Sequence, residues 1–273
     1  MRLVLLSLFL TASGCAQTEP TVSETPPEAG TNATIEAAGP VMAGPMRADP
    51  VYDAPTLVEA MHDRYADDWY QTLSFTQATY QKAPDGGVTE QTWREWAAFP
   101  GKLRIEMDDP MEGPDALFVG DSTFVYNDGA LVAARADRNP LLLWGFDVYA
   151  QDPAETLSIL EAEGLDLTAF RVDAWDDRRH YVLGTPEAGE VWVDHETLLF
   201  SRLVEPGPGG ALQDIRFTEY ERLGDAWIAS RVEVHVGGEL VFWEVYSDIE
   251  ADPDLDPVLF DPRRWAEGVA ASE

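Results

Sequence analysis

The 273 residues carry fifty Asp and Glu against eighteen Lys and Arg, a formal charge of −32. A surface this acidic repels nucleic acid and anionic lipid headgroups alike, which excludes a nucleic-acid function. The single cysteine, Cys15, excludes disulfides as a source of stability. Only two of the eighteen basic residues are lysines, Lys82 and Lys102, a bias that fits either a salt-rich habitat or a GC-rich genome.

The chain opens with Arg2 and then Leu3-Val4-Leu5-Leu6-Ser7-Leu8-Phe9-Leu10, an apolar run too short to span a bilayer but suited to the h-region of a signal peptide. The next residues, Thr11-Ala12-Ser13-Gly14-Cys15, resemble the lipobox of bacterial lipoproteins, with Ala12 where the family usually carries Leu. The resemblance implies that residues 1–14 are removed and that Cys15 receives a thioether-linked diacylglycerol and an N-acyl chain, more than the two signals stable membrane attachment requires. Loss of Arg2 would take the charge to −33. An ordinary cleaved secretory signal is the alternative, and it leaves an exported cysteine without a partner. Ala16 after the cysteine, rather than Asp, implies sorting to the outer membrane, facing the periplasm. From Cys15 to Tyr52 the composition is Pro, Thr, Glu, Ala and Gly, which reads as a disordered tether with a root-mean-square span of roughly 35 Å.

Residues 53–273 suit one β-rich domain. Thr56-Leu57-Val58-Glu59 reads as a capping box that starts a helix, with Leu57, Val58, Met61 and Tyr65 on one face. From Gln71 the apolar period becomes two, and turn residues recur at short intervals. Pro84-Asp85-Gly86-Gly87, Pro100-Gly101 and Asn127-Asp128-Gly129 mark hairpin turns. Asp152-Pro153-Ala154-Glu155 begins a second helix that Gly164 closes, and strands then resume to Ile249. The segment Ala226–Val236 alternates cleanly between a core and a wet face, whereas Val241–Tyr246 and Trp93–Trp96 place large apolar groups on both. The pattern predicts a mainly β (α+β) fold: a single strongly curved antiparallel sheet, an incomplete β-barrel of about 11–12 strands, with helices covering its concave face.

Three stretches then carry a family resemblance. Phe99-Pro100-Gly101-Lys102-Leu103-Arg104-Ile105-Glu106, followed by Ala116-Leu117-Phe118-Val119-Gly120-Asp121-Ser122-Thr123-Phe124-Val125-Tyr126-Asn127, resembles the periplasmic lipoprotein-carrier (LolA/LolB-like) family, and Val191–Phe200 resembles that family's recurrent hairpin. The sequence has Gly120-Asp121 where the family has Asp-Gly. The resemblance implies a half-barrel whose apolar interior takes up acyl chains of lipids or lipoproteins, in a lipidated form like the family's membrane-anchored acceptor. Under it, Trp93, Trp96, Phe118, Phe124, Tyr126, Leu142, Trp144, Trp192 and Trp243 would line the cavity; the alternative is that each fills a β core. The uncharged run Leu141–Phe146 reads as either a plug or a mobile lid, and Arg104 as either half of an ion pair or a headgroup contact.

Adjacent acids such as Asp67-Asp68, Asp108-Asp109 and Asp176-Asp177 point apart in strands or turns and make poor acid/base dyads. No G-x-S-x-G, H-E-x-x-H or Gly-rich phosphate loop occurs, so the expectation is no enzyme. His62, His180, His195 and His235 share no ligand spacing, and Asp252-Pro253-Asp254-Leu255-Asp256 lacks the glycine and terminal glutamate of a calcium loop, so no metal or cofactor is expected. The sequence therefore predicts a monomeric, membrane-anchored lipoprotein that binds acyl chains non-covalently. An envelope-anchored structural or interaction lipoprotein with a filled core is the alternative; an apolar pocket of several hundred cubic ångströms, open to the outside, would separate the two.

Overall fold

A computed structural model describes residues 51–107 and 114–272. The expected signal peptide, Cys15 and the tether as far as residue 50 lie outside the described residues.

Period-two apolar spacing gives thirteen strands in one antiparallel sheet. The first six, β1 (Thr72–Lys82), β2 (Val88–Ala98), β3 (Lys102–Met107), β4 (Pro114–Val119), β5 (Ser122–Asn127) and β6 (Ala130–Ala136), form a meander. The other seven, β7 (Phe170–Trp175), β8 (Arg178–Thr185), β9 (Gly189–Asp194), β10 (Phe200–Pro206), β11 (Leu212–Leu223), β12 (Ala226–Val236) and β13 (Glu239–Ala251), form a second. The meanders join where β13 pairs antiparallel with β1, leaving β6 and β7 as free edges of an unclosed barrel. The sheet has one strand more than the sequence pattern predicts: β4 is short, and both of its faces are buried.

Turn chemistry sets the hairpins. Asp128 and Gly129 both adopt positive φ (50° and 69°), as do Asp176 and Asp177 (52° and 58°), the geometry a two-residue turn requires to match strand twist. The adjacent acids at 176–177 are thus explained by backbone conformation, for which Asp is among the more tolerant residues.

Helix α1 (Ala54–Tyr65) buries Leu57, Val58, Met61 and Tyr65 as expected. Its cap lies three residues earlier than the sequence reading: Asp53 is the N-cap and Thr56 the third helical residue, with Asp53 Oδ1 accepting from Thr56 N at 3.0 Å and Thr56 Oγ1 from Asp53 N at 3.2 Å. Pro55 favours this start because its fixed φ is already helical and it has no N–H to satisfy in the first turn. Between the meanders, residues 140–150 form a helical stretch broken by a π turn at Leu143–Asp147, and the Asn139 side chain caps its start by accepting from Leu141 N at 2.9 Å. Helix α2 (Pro153–Ala162) follows, capped by Asp152 as its sequence implies.

These three helical pieces fill the inner face of the sheet. Leu57, Met61, Trp144, Tyr149 and Phe200 are essentially inaccessible there, and burial of each such side chain contributes about 1.5–3 kcal/mol. The outer face is covered in part by the C-terminal tail, a 3-10 turn (Pro257–Phe260) and helix α3 (Trp265–Ser272), which packs Leu259, Phe260 and Trp265 against Leu117 and Tyr126. A second outer cluster joins Val182, Trp192 and Val204.

Candidate functional site

Between the inner face of the sheet and residues 140–150 lies a cavity of about 50 Å³. Leu73 and Phe75 of β1, Leu103 and Ile105 of β3 and Phe217 of β11 form its sheet-side wall, and Leu141, Leu142 and Phe146 form the other. The volume holds a few waters and falls well short of the several hundred cubic ångströms of an open ligand pocket. In this conformation the helical stretch fills most of the half-barrel.

That stretch is held by identifiable contacts. Asp147 Oδ1 accepts a hydrogen bond from Gly101 N at 2.9 Å in the β2–β3 turn. Burial pushes the Asp147 carboxyl up to about 7, against the lowering influence of that hydrogen bond and of Arg138. Phe146 stacks on Phe99 at 5.3 Å between centroids, and Tyr149 Oη accepts from Phe200 N at 2.7 Å. Gly145 is required by close approach, since a Cβ there would lie 2.8 Å from the Phe217 ring. The uncharged run therefore divides its role: Leu143 and Trp144 are buried in the core as a plug, while Leu141, Leu142 and Phe146 wall the cavity.

Of the nine aromatic and aliphatic residues that the resemblance assigns to the cavity, Leu142 lines it. Trp93, Phe118 and Trp144 lie in the inner core, with Trp93 6.2 Å from Phe242 and Trp144 6.4 Å from Phe200. Trp96, Phe124 and Tyr126 lie on the outer face beneath the C-terminal tail, where Tyr126 stacks on Trp265 at 4.1 Å. Trp192 belongs to the second outer cluster, near Arg202 and His180, and Trp243 stacks on Tyr80 at 5.0 Å. Arg104 takes the structural alternative: it is fully buried, with Nε 2.7 Å from Glu106 Oε1. Asp252, first of the run considered as a calcium loop, instead accepts from Gln71 N at 2.7 Å and ties the end of β13 to the start of β1.

The cavity wall also contains polar groups that the sequence reading missed: Glu95, Glu244 and Asn139, with Tyr246 beside them. Glu95 is 5 % exposed, and no hydrogen bond from a described residue stabilises its carboxyl group. Burial, reinforced by the negative charge of Glu244, pushes its carboxyl well above the ordinary range. Glu244 is raised to about 7 by burial, with hydrogen bonds from Tyr246 and Gln77 opposing the shift, and the Tyr246 hydroxyl donates to Glu244 Oε2 at 3.1 Å. Glu244 is half-buried and lines the cavity. The available signal was parity: Glu95 shares an inward-facing register with Trp93 and Ala97, both buried.

No protein-family model and no curated protein matches the sequence. Solved structures do share the fold. A DUF1329 family protein from Desulfovibrio piger superposes with a TM-score of 0.51 at 17% identity, over 76% of this chain and 95% of that one. A LolA superfamily protein from Nitrosomonas europaea gives 0.50 at 14%, over 77% and 98%. A domain assigned as an outer membrane lipoprotein-sorting protein from Vibrio parahaemolyticus gives 0.52 at 14%, over 77% and 97%. The chain thus has the LolA-like half-barrel fold that the sequence resemblance implies.

Proposed function

We propose that this chain is a lipoprotein anchored through Cys15 to the outer membrane, and that its half-barrel takes up acyl chains of lipids or lipoproteins beneath residues 140–150 without bond-making chemistry. The observation that carries this reading is the position of the apolar cavity: it lies under a helical flap, at the inner face of a fold shared with a lipoprotein-sorting domain. Attachment through the lipid rests on the lipobox-like run Thr11-Ala12-Ser13-Gly14-Cys15; among the described residues no helix is long and apolar enough to cross a membrane.

Uptake requires the cavity-facing Leu141, Leu142 and Phe146 to move aside while the buried Leu143, Trp144 and Tyr149 keep their places in the core. Releasing the Asp147–Gly101 hydrogen bond costs about 1 kcal/mol, and parting the Phe99–Phe146 stack about 0.5–1.5 kcal/mol beyond the area exposed. An entering acyl chain returns about 0.8 kcal/mol per buried methylene, so a handful of methylenes offsets both. The cavity wall that Leu141, Leu142 and Phe146 give up is replaced by ligand.

The full chain carrying Cys15→Ser, which has no lipid of its own, should take up a fluorescent fatty acid saturably, and competing lipid should displace it. The small resting cavity favours one rival, an envelope-anchored interaction protein with a filled core. Absence of saturable uptake for every acyl probe would establish that rival in its place.

A further inference from the structure

We propose that the inner cavity selects an alkyl chain ending in a protonated amine, whose positive head pairs with the carboxyl groups of Glu95 and Glu244. The inference rests on the acyl-binding reading above and narrows it to a ligand class.

Three features of the wall point to a cationic head. Two carboxyl groups, Glu95 of β2 and Glu244 of β13, flank β1 and line one cavity, and among the described residues no Lys, Arg or His lines it. The Glu95 carboxyl is buried in the cavity wall, and no hydrogen bond from a described residue stabilises its charge. A wall intended for alkyl chain alone would carry leucine at that inward position. Apart from Asn139 and Tyr246, the other lining groups, among them Leu73, Phe75, Leu142 and Phe146, are apolar and suit the chain that follows the head.

The charge balance ranks the commoner amphiphiles below the amine. A fatty-acid carboxylate would place its charge in a low-dielectric space whose acidic side chains supply no countercharge. A phosphate beside the amine would do the same, so the head is an ammonium without an adjacent phosphate. An ammonium supplies the opposite charge and up to three N–H donors, enough to engage both carboxyl groups.

The groups facing Glu244 are Glu95 from β2, Gln77 from β1 and Tyr246 on its own strand. With no cation among them, burial holds both carboxyl groups above their ordinary range, and pairing with an amine favours their ionised forms and releases protons. Affinity for the amine should therefore climb with pH through neutrality, and affinity for an uncharged analogue should not.

The test titrates the full chain carrying Cys15→Ser with dodecylamine, dodecanol and dodecanoate by calorimetry at pH 6 and pH 8 in 0.5 M salt, which screens the acidic surface. At pH 8 the amine should bind at least tenfold more tightly than the alcohol, the carboxylate most weakly, and the amine-to-alcohol ratio should be smaller at pH 6. In Glu95→Gln/Glu244→Gln the ratio should fall towards one, with melting curves checking that the variant is folded. If the alcohol binds as well as the amine, or if the wild-type ratio does not change with pH, the amine inference is overturned and the acyl-binding reading survives. A preference that persists in the folded double variant also overturns it, because the acidic exterior would then be its source. Failure of all three probes overturns both proposals.

Discussion

The guanidinium carbon of Arg104 sits 3.5 Å from the centre of the Trp265 ring, although 161 residues separate the two in sequence. Its Nε is 2.7 Å from Glu106 Oε1, Nη1 donates to the Leu259 carbonyl at 3.1 Å and Nη2 to the Trp265 carbonyl at 3.3 Å. One buried cation thus fastens the C-terminal tail to the outer face of β3, and Gly268 of α3 leaves the space that the guanidinium occupies. Arg104→Met should lower unfolding free energy by about 3–5 kcal/mol in chemical denaturation, because Glu106 loses its buried countercharge. Arg104→Met/Glu106→Leu should recover most of that loss. Equal losses in the single and double variants would show that the tail contacts, not the ion pair, carry the energy.

The same residue marks how far the sequence could be read. Strands and turns were legible because the period of two and signals such as Asn127-Asp128-Gly129 are local, and α2 was legible because Asp152 and Pro153 cap and start it within four residues. Which parity faces inward was not. Trp93 and Trp96 are both large and apolar; one faces the inner core, and the other faces a C-terminal tail arriving from far along the chain. Trp192 and Trp243 were obscured in the same way, since each outer position is covered by a nonlocal partner or a neighbouring ring. Glu95 was hidden because a charged residue in a strand ordinarily marks the wet face, and nothing within a few residues shows that β2 buries it.

Residues 140–150 should separate stability from uptake. Trp144 is fully buried in the core, so Trp144→Ala should destabilise by about 3–5 kcal/mol. Leu141 is half-buried on the cavity wall, so Leu141→Ser should change stability by under about 1.5 kcal/mol while weakening acyl uptake several-fold. Thermal melts and fluorescent fatty-acid titrations on the same samples measure both. A Leu141 variant that melts early yet binds normally would assign this residue to the plug and remove it from the gate.

Salt should stabilise the domain. With fifty acidic residues against eighteen basic ones, exposed carboxylates repel one another over the Debye length, which shrinks from about 10 Å at 0.1 M to about 3 Å at 1 M. The melting temperature should rise with sodium chloride across that range. A flat or falling curve would show that local pairing already neutralises the surface.

Acidification should stabilise it as well, down to about pH 5. Asp147 and Glu244 are each raised to about 7 by burial, and Glu95 is raised further above its ordinary value by burial and by Glu244. In the unfolded chain all three return to ordinary carboxylate values, so between about pH 4 and pH 7 the folded state holds more protons than the unfolded one. Stability is then greatest near and below the unfolded values and declines as pH rises through 7. Each tenfold difference in proton affinity is worth about 1.4 kcal/mol, which makes the loss between pH 5 and pH 8 on the order of a few kcal/mol. Asp166, Asp173, Glu233 and Glu267 shift downwards and act in the opposite direction, but their influence is confined to pH below the ordinary carboxylate range. Asp147→Asn should isolate one contributor: its side-chain oxygen can still accept from Gly101 N, and the amide carries no charge to bury. That variant should melt higher than wild type at pH 8 and at nearly the same temperature at pH 5. A variant less stable than wild type at pH 8 would mean that the ionised carboxylate, not its neutral form, secures the flap.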